Sequence, residues 1–282
     1  MNIRKLLYDN HWTIGFVQNG IDSILRGDKL IINWVDNHYK DRWFADPFIL
    51  DVDSEKITLL VEEFYDPINR GRISKVVVDK KTNCVTEVKT VLELPSHLSF
   101  PAILRKDGRI YIYPENSNAG ELNLYEYDPL NDNCIKIQTL SKEPLTDAVL
   151  TNLLGENMIF STHIPNQNGN VLSCYSLQNN EFFFVKEYSF DSNIARNAGD
   201  WFEFNGKIYR SAQDCNTRYG GAMFIQEVHR SDNELISFTN VRRIEEYNGK
   251  YTLGCHTFNH YNGLTVIDVN GYRRPFLAKL GL

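Results

Sequence analysis

One phrase recurs five times along this chain of 282 residues, each copy a turn or polar residue followed by an apolar run. The copies are FADPFIL (44–50), SFPAILRKDGRIYIYPE (99–115), TDAVLTNLLGENMIFSTH (146–163), GDWFEFNGKIYRSAQD (199–214) and CHTFNHYNGLTVIDV (255–269). Anchored at Asp46, Pro101, Asp147, Asp200 and His256, the steps are 55, 46, 53 and 56 residues. Periods of this size belong to propellers and solenoids, in which one supersecondary unit is stacked repeatedly on its neighbours. DG and NG dipeptides punctuate the copies at Asp107-Gly108, Asn205-Gly206 and Asn262-Gly263. They supply the positive φ that two-residue hairpins need. Each copy therefore reads as a hairpin. Further strands follow it, such as LNLYEYDP (122–129) with CIKIQTL (134–140), and NVLSCYSL (170–177) with FFFVKEYSF (182–190).

Four strands per unit make one blade, so the chain is expected to be all-β: a single five-bladed β-propeller spanning residues 1–282. Residues 1–42, with HWTIGFV and KLIINWV, are expected to contribute closing strands. A short helix over Gly20–Arg26 is the one helical segment expected. The alternative, a generic β-sandwich, does not account for the repeat register.

Composition narrows the class of protein. With 42% hydrophobic and 23% charged residues the chain can bury a full core. Its net charge of −6 and lack of Lys/Arg clusters argue against a nucleic-acid surface. No stretch approaches the roughly 18 apolar residues of a membrane span, and the start MNIRKLLYDNHWTIGF has no apolar signal region. Five widely spaced cysteines without a CxxC pair fit free thiols. Together these point to a cytoplasmic protein.

A propeller aims equivalent residues of every blade at one axis. The repeat puts Asp46, Asp147, Asp200 and His256 at the strand starts, with His97 preceding the second copy. A second ring of Glu63 (beside Glu62), Glu115, His163 and Asp214 is expected at the far end of each hairpin. The steps Pro101-to-Glu115 and Asp200-to-Asp214 are both 14, which predicts that these ends superpose. Clustered carboxylates push one another's pKa values apart, keeping one protonated as an acid and another ionised as a base. Arg196, Arg210 and Gln213 flank this set and are candidates for positioning an anionic or polar substrate. Trp43 and Trp201 are candidates for stacking on a sugar face, or for plain core. An aspartate at a strand start also often caps its own turn. No HxH or HExxH spacing marks a metal site, so no cofactor or metal is expected.

The phrases WFADPF, HLSFPAI, IYIYPENS, TDAVL, RNAGDWFEFNGKIYRSAQDC with YGGAM, and GCHTFN resemble the N-terminal domain of the plant glucosamine inositolphosphorylceramide transferase family and its stand-alone bacterial relatives. The resemblance covers most of residues 40–260. It implies the five-bladed propeller of glycoside hydrolase families 32 and 43. On that resemblance Asp46 matches the blade-one base or nucleophile, and Asp147 a transition-state-stabilising aspartate. Those hydrolases usually offer their acid as Glu-Gly-Pro or Glu-Cys, and neither phrase occurs here. Glu115, Glu63 or Asp200 would have to substitute.

Two functions follow as expectations. The first is a carbohydrate-active enzyme, hydrolysing or transferring a glycosyl unit on an intracellular sugar conjugate. Asp46 would then be the base, Glu115 or Asp200 the acid, Asp147 the stabiliser, and Arg196, Gln213 and His256 would position substrate. The second is a non-catalytic propeller that binds a glycan or sugar nucleotide and partners a glycosyltransferase. A filled, self-paired axial scaffold is the third, bland alternative. An acid–base pair in a pocket would favour the first; an aromatic groove without one would favour the second.

Overall fold

The computed structural model describes residues 10–178, 181–231, 235–245 and 251–272. The chain opens with β1 (Asn10–Val17), helix α1 (Ile21–Arg26) and β2 (Ile32–Trp34). The first complete blade is β3 (Arg42–Val52), β4 (Lys56–Tyr65), β5 (Arg70–Asp79) and β6 (Val85–Leu92). The second is β7 (Ile103–Lys106), β8 (Arg109–Ile112), β9 (Leu122–Asp128) and β10 (Asn133–Ser141). The third is β11 (Leu145–Thr151), β12 (Met158–His163), β13 (Val171–Gln178) and β14 (Glu181–Ser189). The fourth is β15 (Phe202–Phe204), β16 (Lys207–Asp214), β17 (Ala222–Ser231) and β18 (Leu235–Ile244). The fifth combines β19 (Phe258–Tyr261) and β20 (Leu264–Tyr272) with β1 and β2 in the order β19-β20-β1-β2. Five four-stranded sheets thus form a five-bladed β-propeller.

The ring is closed by strands from both ends of the chain. β1 pairs antiparallel with β20 from Asn10↔Tyr272 to Val17↔Thr265, and β2 adds to its outer edge. Residues 1–9 of the segment expected to close the ring lie outside the described residues.

The inner hairpins turn where the sequence says they should. Asp107 and Gly108, Asn205 and Gly206, and Asn262 and Gly263 all take positive φ, the mark of a type I′ turn. At the other end of the inner strands, Asp46 (φ 48°), Phe100 (φ 46°) and Asp147 (φ 44°) also take positive φ. In β3, Asp46 and Pro47 lie opposite Val61 alone; in β11, Asp147 and Ala148 lie opposite Ser161 alone. These are bulges, which bend a strand and re-aim its side chains. Asp tolerates this conformation better than Phe does, so Phe100 is a strained position held by its surroundings.

The cores are the seams between blades. Phe48, Phe100, Tyr113, Phe160 and Trp201 belong to a continuous cluster running from blade one to blade four. Phe16, Phe44, Leu59 and Val76 fill the seam between blades five and one, and α1 packs Ile21 and Ile24 with Tyr209 and Phe258 between blades four and five.

Candidate functional site at the propeller axis

The starts of the inner strands meet at one mouth of the axis and are stitched together across blade boundaries. The Asp46 main-chain N–H donates to Asp268 Oδ2 at 3.0 Å, and Asp46 Oδ2 accepts the Phe100 N–H at 3.0 Å. The Thr257 hydroxyl donates to Asp46 Oδ1 at 2.7 Å. The Asp147 N–H donates to Glu115 Oε2 at 3.0 Å, and the Asp200 N–H to Asn259 Oδ1 at 2.7 Å. Each of these bonds links one blade to its neighbour, so the axial polar groups satisfy backbone N–H groups that the bulges have freed from the ladders.

Two clusters stand side by side in this ring. In the first, Arg196 donates from Nε to Asp147 Oδ2 at 2.6 Å and from Nη2 to Asp147 Oδ1 at 3.2 Å and Glu115 Oε2 at 3.1 Å. Its Nη1 donates to Asn168 Oδ1 at 3.0 Å. Gln213 Nε2 adds a 2.7 Å bond to Asp147 Oδ2, and the Ser117 hydroxyl a 2.7 Å bond to Glu115 Oε1. Burial pushes the Asp147 pKa up to about 7, against the opposing pull of Arg196. In the second cluster, His256 Nδ1 lies 2.8 Å from Asp268 Oδ2 and 3.8 Å from Asp46 Oδ1. Burial alone would lower the His256 pKa, but Asp268 and Asp46 outweigh it and raise it to about 9. Asp46 is pushed up to about 6, by burial first and by Asp147 and Asp268 as like charges, with His256 opposing. Ligand atoms of Asp46, His256 and Asp268 all lie within 4.8 Å of one another, the spacing of a cation site. Here each carboxylate oxygen of Asp46 and Asp268 accepts a hydrogen bond from the Thr257 hydroxyl or from a main-chain N–H.

The mouth above these clusters is aromatic. The Trp12 ring stacks on His256 with centroids 3.7 Å apart, and Tyr219, 44% exposed, meets the same imidazole edge-on and lies 5.0 Å from the Arg196 guanidinium. Half-buried Trp43 stacks on Phe64 at 4.8 Å, and His97 sits 6.4 Å from that ring, bonding Glu62 at 3.2 Å. Burial raises the Glu62 pKa; burial would lower that of His97, but Glu62 outweighs it and raises it.

Asp46, Glu115, Asp147, Arg196, Gln213 and His256 thus come together, with His97 and Trp43 at the rim. Other expected positions need correction. Glu63 points away from the axis, bonded to Arg42, Arg72 and Ser74, because alternation along β4 sends its neighbour Glu62 inward instead. Asp214 pairs with Arg243 and Asn216 and does not superpose on Glu115, which pairs with Ser99. Asp200 does not share the Asp46 position. Ala198 through Trp201 lie opposite only Arg210 and Ser211, so this bulge is longer and carries Asp200 towards Arg105 and Tyr113. Burial pushes the Asp200 pKa up to about 7. The equal 14-residue steps were counted from residues that are not equivalent: the left-handed position in blade two is Phe100, not Pro101. Trp201 is core, stacked on Phe160 at 4.4 Å, and Arg210 is sealed between blades three and four. Thr257, Asp268, Tyr219 and Trp12 escaped the sequence reading. Asp268 lay inside the fifth copy, on the strand corresponding to those of Glu62 and Glu115.

A cavity of about 610 Å³ lies at the opposite ends of the inner strands, lined by Leu50, Lys75, Arg105, Tyr127 and Tyr261 among others, and includes none of the axial acids. No helix among the described residues is long and apolar enough to cross a membrane.

Residues 31–252 match the family described as glucosamine inositolphosphorylceramide transferase 1, N-terminal. The chain belongs to this family. Over 218 residues it is 28% identical to glucosamine inositolphosphorylceramide transferase 1 of Arabidopsis thaliana, covering 72% of this chain and 27% of the plant protein. The relative of the same name from Oryza sativa subsp. japonica is 25% identical over 205 residues, covering 70% of this chain and 27% of its own length. The chain therefore spans about a quarter of these relatives. Among solved structures, the GH43_1 enzyme from Xanthomonas citri complexed with xylose superposes with a TM-score of 0.55 at 9% identity, over 82% of this chain and 87% of the enzyme. A GH43 β-xylosidase/α-arabinofuranosidase from a compost microbial metagenome gives 0.53 at 12% identity, over 81% and 86%. At such identities the likeness is one of fold.

Proposed function

We propose that this chain is a sugar-conjugate-binding propeller that serves glycosyl transfer, and that it does not hydrolyse glycosides by a paired-carboxylate mechanism. The observation that carries this reading is the double engagement of Arg196. Hydrolysis of that type needs one carboxyl free to deliver a proton and a second free to act as base or nucleophile. Asp147 and Glu115 share one guanidinium, and Gln213 and Ser117 occupy further lone pairs on each. The exposed or half-exposed rings of Tyr219, Trp43 and Phe64 at the same mouth supply the apolar faces that sugars stack on. The names of the plant relatives support a role in glycosyl transfer, the chain corresponding to one portion of those longer proteins.

One observation favours a second, catalytic reading. Among the described residues Asp46 has no Lys or Arg partner, and with its pKa pushed up to about 6 it is ionised at neutral pH. A transferase using an activated donor needs a single base for the acceptor hydroxyl, because the donor's leaving group departs without a protein acid. Calorimetry with glucosamine, myo-inositol phosphate and UDP-sugars, alongside turnover of aryl glycosides, separates the readings. Binding without turnover, retained in Asp46→Asn, supports the binding module. Glycosyl transfer lost in Asp46→Asn supports the single-base transferase. Aryl glycoside hydrolysis abolished by Asp46→Asn and by Glu115→Gln would overturn the proposal.

A further inference from the structure

The cavity of about 610 Å³ at the far ends of the inner strands shares no residue with the axial clusters. Its volume is that of a pocket for a drug-sized molecule, more than a bare ion needs. Three blades wall it: β3 to β5 of blade one, the β7–β8 hairpin and the β9–β10 turn of blade two, and Tyr261 at the end of β19 in blade five.

Arg105 joins these three walls. Its Nη2 donates to the Ile49 carbonyl at 2.7 Å and to the Leu50 carbonyl at 3.0 Å, both in blade one. Its guanidinium carbon sits 3.8 Å from the centroid of the Tyr261 ring. Two carbonyls and a ring face thus fix a long side chain, so its rotamer entropy is lost on folding and not on binding. Nε and Nη1 have no acceptor among the described residues, and the residue is partly exposed and lines the cavity. Burial against the wall lowers its pKa, opposed by Tyr261, Asp200 and Asp51, and it remains a cation at neutral pH.

The charges around Arg105 are of two kinds. Lys75 is held by Asp132 at 2.6 Å and Glu87 at 3.0 Å, and Arg109 meets Glu126 at 3.3 Å. Arg105, Lys106, Asp51 and Asp107 make no ion pair among the described residues, though all four line the cavity. Asp51 follows Leu50, whose carbonyl anchors Arg105, and lies directly across from Thr58 in the β3–β4 ladder. A fixed cation beside uncommitted carboxylates and a hydroxyl suits a ligand that carries an oxyanion on a hydroxylated frame. The guanidinium donates to the oxyanion, and the carboxylates accept from hydroxyl groups. A bare anion would be repelled by Asp51 and Asp107, and a neutral polyol would leave Arg105 without a counter-charge.

We propose that this cavity binds a phosphomonoester of a small polyhydroxylated compound, its phosphoryl group on Arg105 and Lys106 and its hydroxyls on Asp51 and Thr58. This second site is independent of how the axial mouth is read.

Isothermal titration with glucose 6-phosphate as the probe, set against glucose and inorganic phosphate alone, tests it. Saturable binding of the ester is expected. Arg105→Met is expected to weaken it by about tenfold or more, the worth of a charge-assisted hydrogen bond. Asp51→Asn separates the ester from a simple anion: it weakens glucose 6-phosphate by about threefold and strengthens inorganic phosphate, because a like charge is gone. Ester binding is expected to survive Asp46→Asn, which alters only the axial mouth. If Arg105→Met fails to fold, Lys106→Met, on an exposed side chain, is expected to fold and to weaken the ester by about threefold. Crystals of the unaltered protein soaked in glucose 6-phosphate are expected to show the phosphoryl group within hydrogen-bonding distance of Arg105. Ester binding undiminished in Arg105→Met, ester seen at the axial mouth alone, or no saturable binding would overturn the proposal. So would inorganic phosphate binding as tightly as the ester, which would make the cavity a plain anion site.

Discussion

Substituting Arg196 by Met would leave Asp147 and Glu115 buried without their shared cation. Truncating one partner of a buried ion pair typically costs about 3–5 kcal/mol, far more than losing an exposed pair. Asp147 retains the Gln213 amide and Glu115 the Ser117 hydroxyl and the Asp147 N–H, so the cost belongs to this range and does not double. At about 2–4 °C per kcal/mol for a chain of this size, Tm falls by about 6–20 °C. The pH dependence identifies the cause. Burial already lifts the Asp147 pKa to about 7 against the pull of Arg196, so removing Arg196 lifts it further. A raised carboxyl binds its proton more tightly folded than unfolded, so stability rises as pH falls. The variant starts that rise at higher pH. The gap between the two proteins is therefore widest near pH 9 and narrows towards pH 6, by about 1.4 kcal/mol for each unit of additional shift. Urea unfolding of both proteins at pH 6, 7, 8 and 9 measures it. A gap below about 1 kcal/mol at pH 8, or one that widens on acidification, would refute the clamp.

Gly199→Ala places a Cβ 2.1 Å from the Phe258 carbonyl oxygen, which is backbone and cannot swing aside; a loss of about 3 kcal/mol or more in chemical unfolding is expected. Glu63→Gln removes the anion shared by Arg42 and Arg72 and is expected to lower stability by about 3 kcal/mol while leaving sugar affinity at the axial mouth unchanged in calorimetry. The His256 pKa of about 9 lies above its ordinary value of 6.5, so its contribution is complete below pH 6.5 and lost as pH rises through about 9. The decline in unfolding free energy between pH 7 and 10 is accordingly expected to be steeper in the wild type than in His256→Gln. Deleting residues 1–20 removes β1 and leaves β20 with an open edge, so the truncated chain is expected in the insoluble fraction. A soluble, cooperatively melting truncation would count against ring closure by β1.

The repeat copies, the turn dipeptides and the strand alternation were legible because each is a local property. A hairpin needs positive φ at two adjacent residues, and only Asp/Asn-Gly pairs supply it cheaply. That local logic gave the blades, the hairpin tips at Asp107-Gly108 and Asn205-Gly206, and the axial placement of Asp46 and Asp147. It failed where counting replaced register. Glu62 and Glu63 are adjacent, and pairing with β5 decides which one faces the axis. Asp200 follows Asp147 by nearly the same step as the other repeats, yet the longer bulge opposite Arg210 and Ser211 carries it out of the ring.

Local sequence signals are enough to establish five similar units with carboxylates gathered where those units begin. What those carboxylates are bonded to is a property of the closed ring. Arg196 lies 49 residues from Asp147 and 81 from Glu115, and Thr257 lies 211 from Asp46, so none of these contacts has a local signature. They exist because closing the propeller brings every strand start to one axis, where buried charges must find partners in the neighbouring blades.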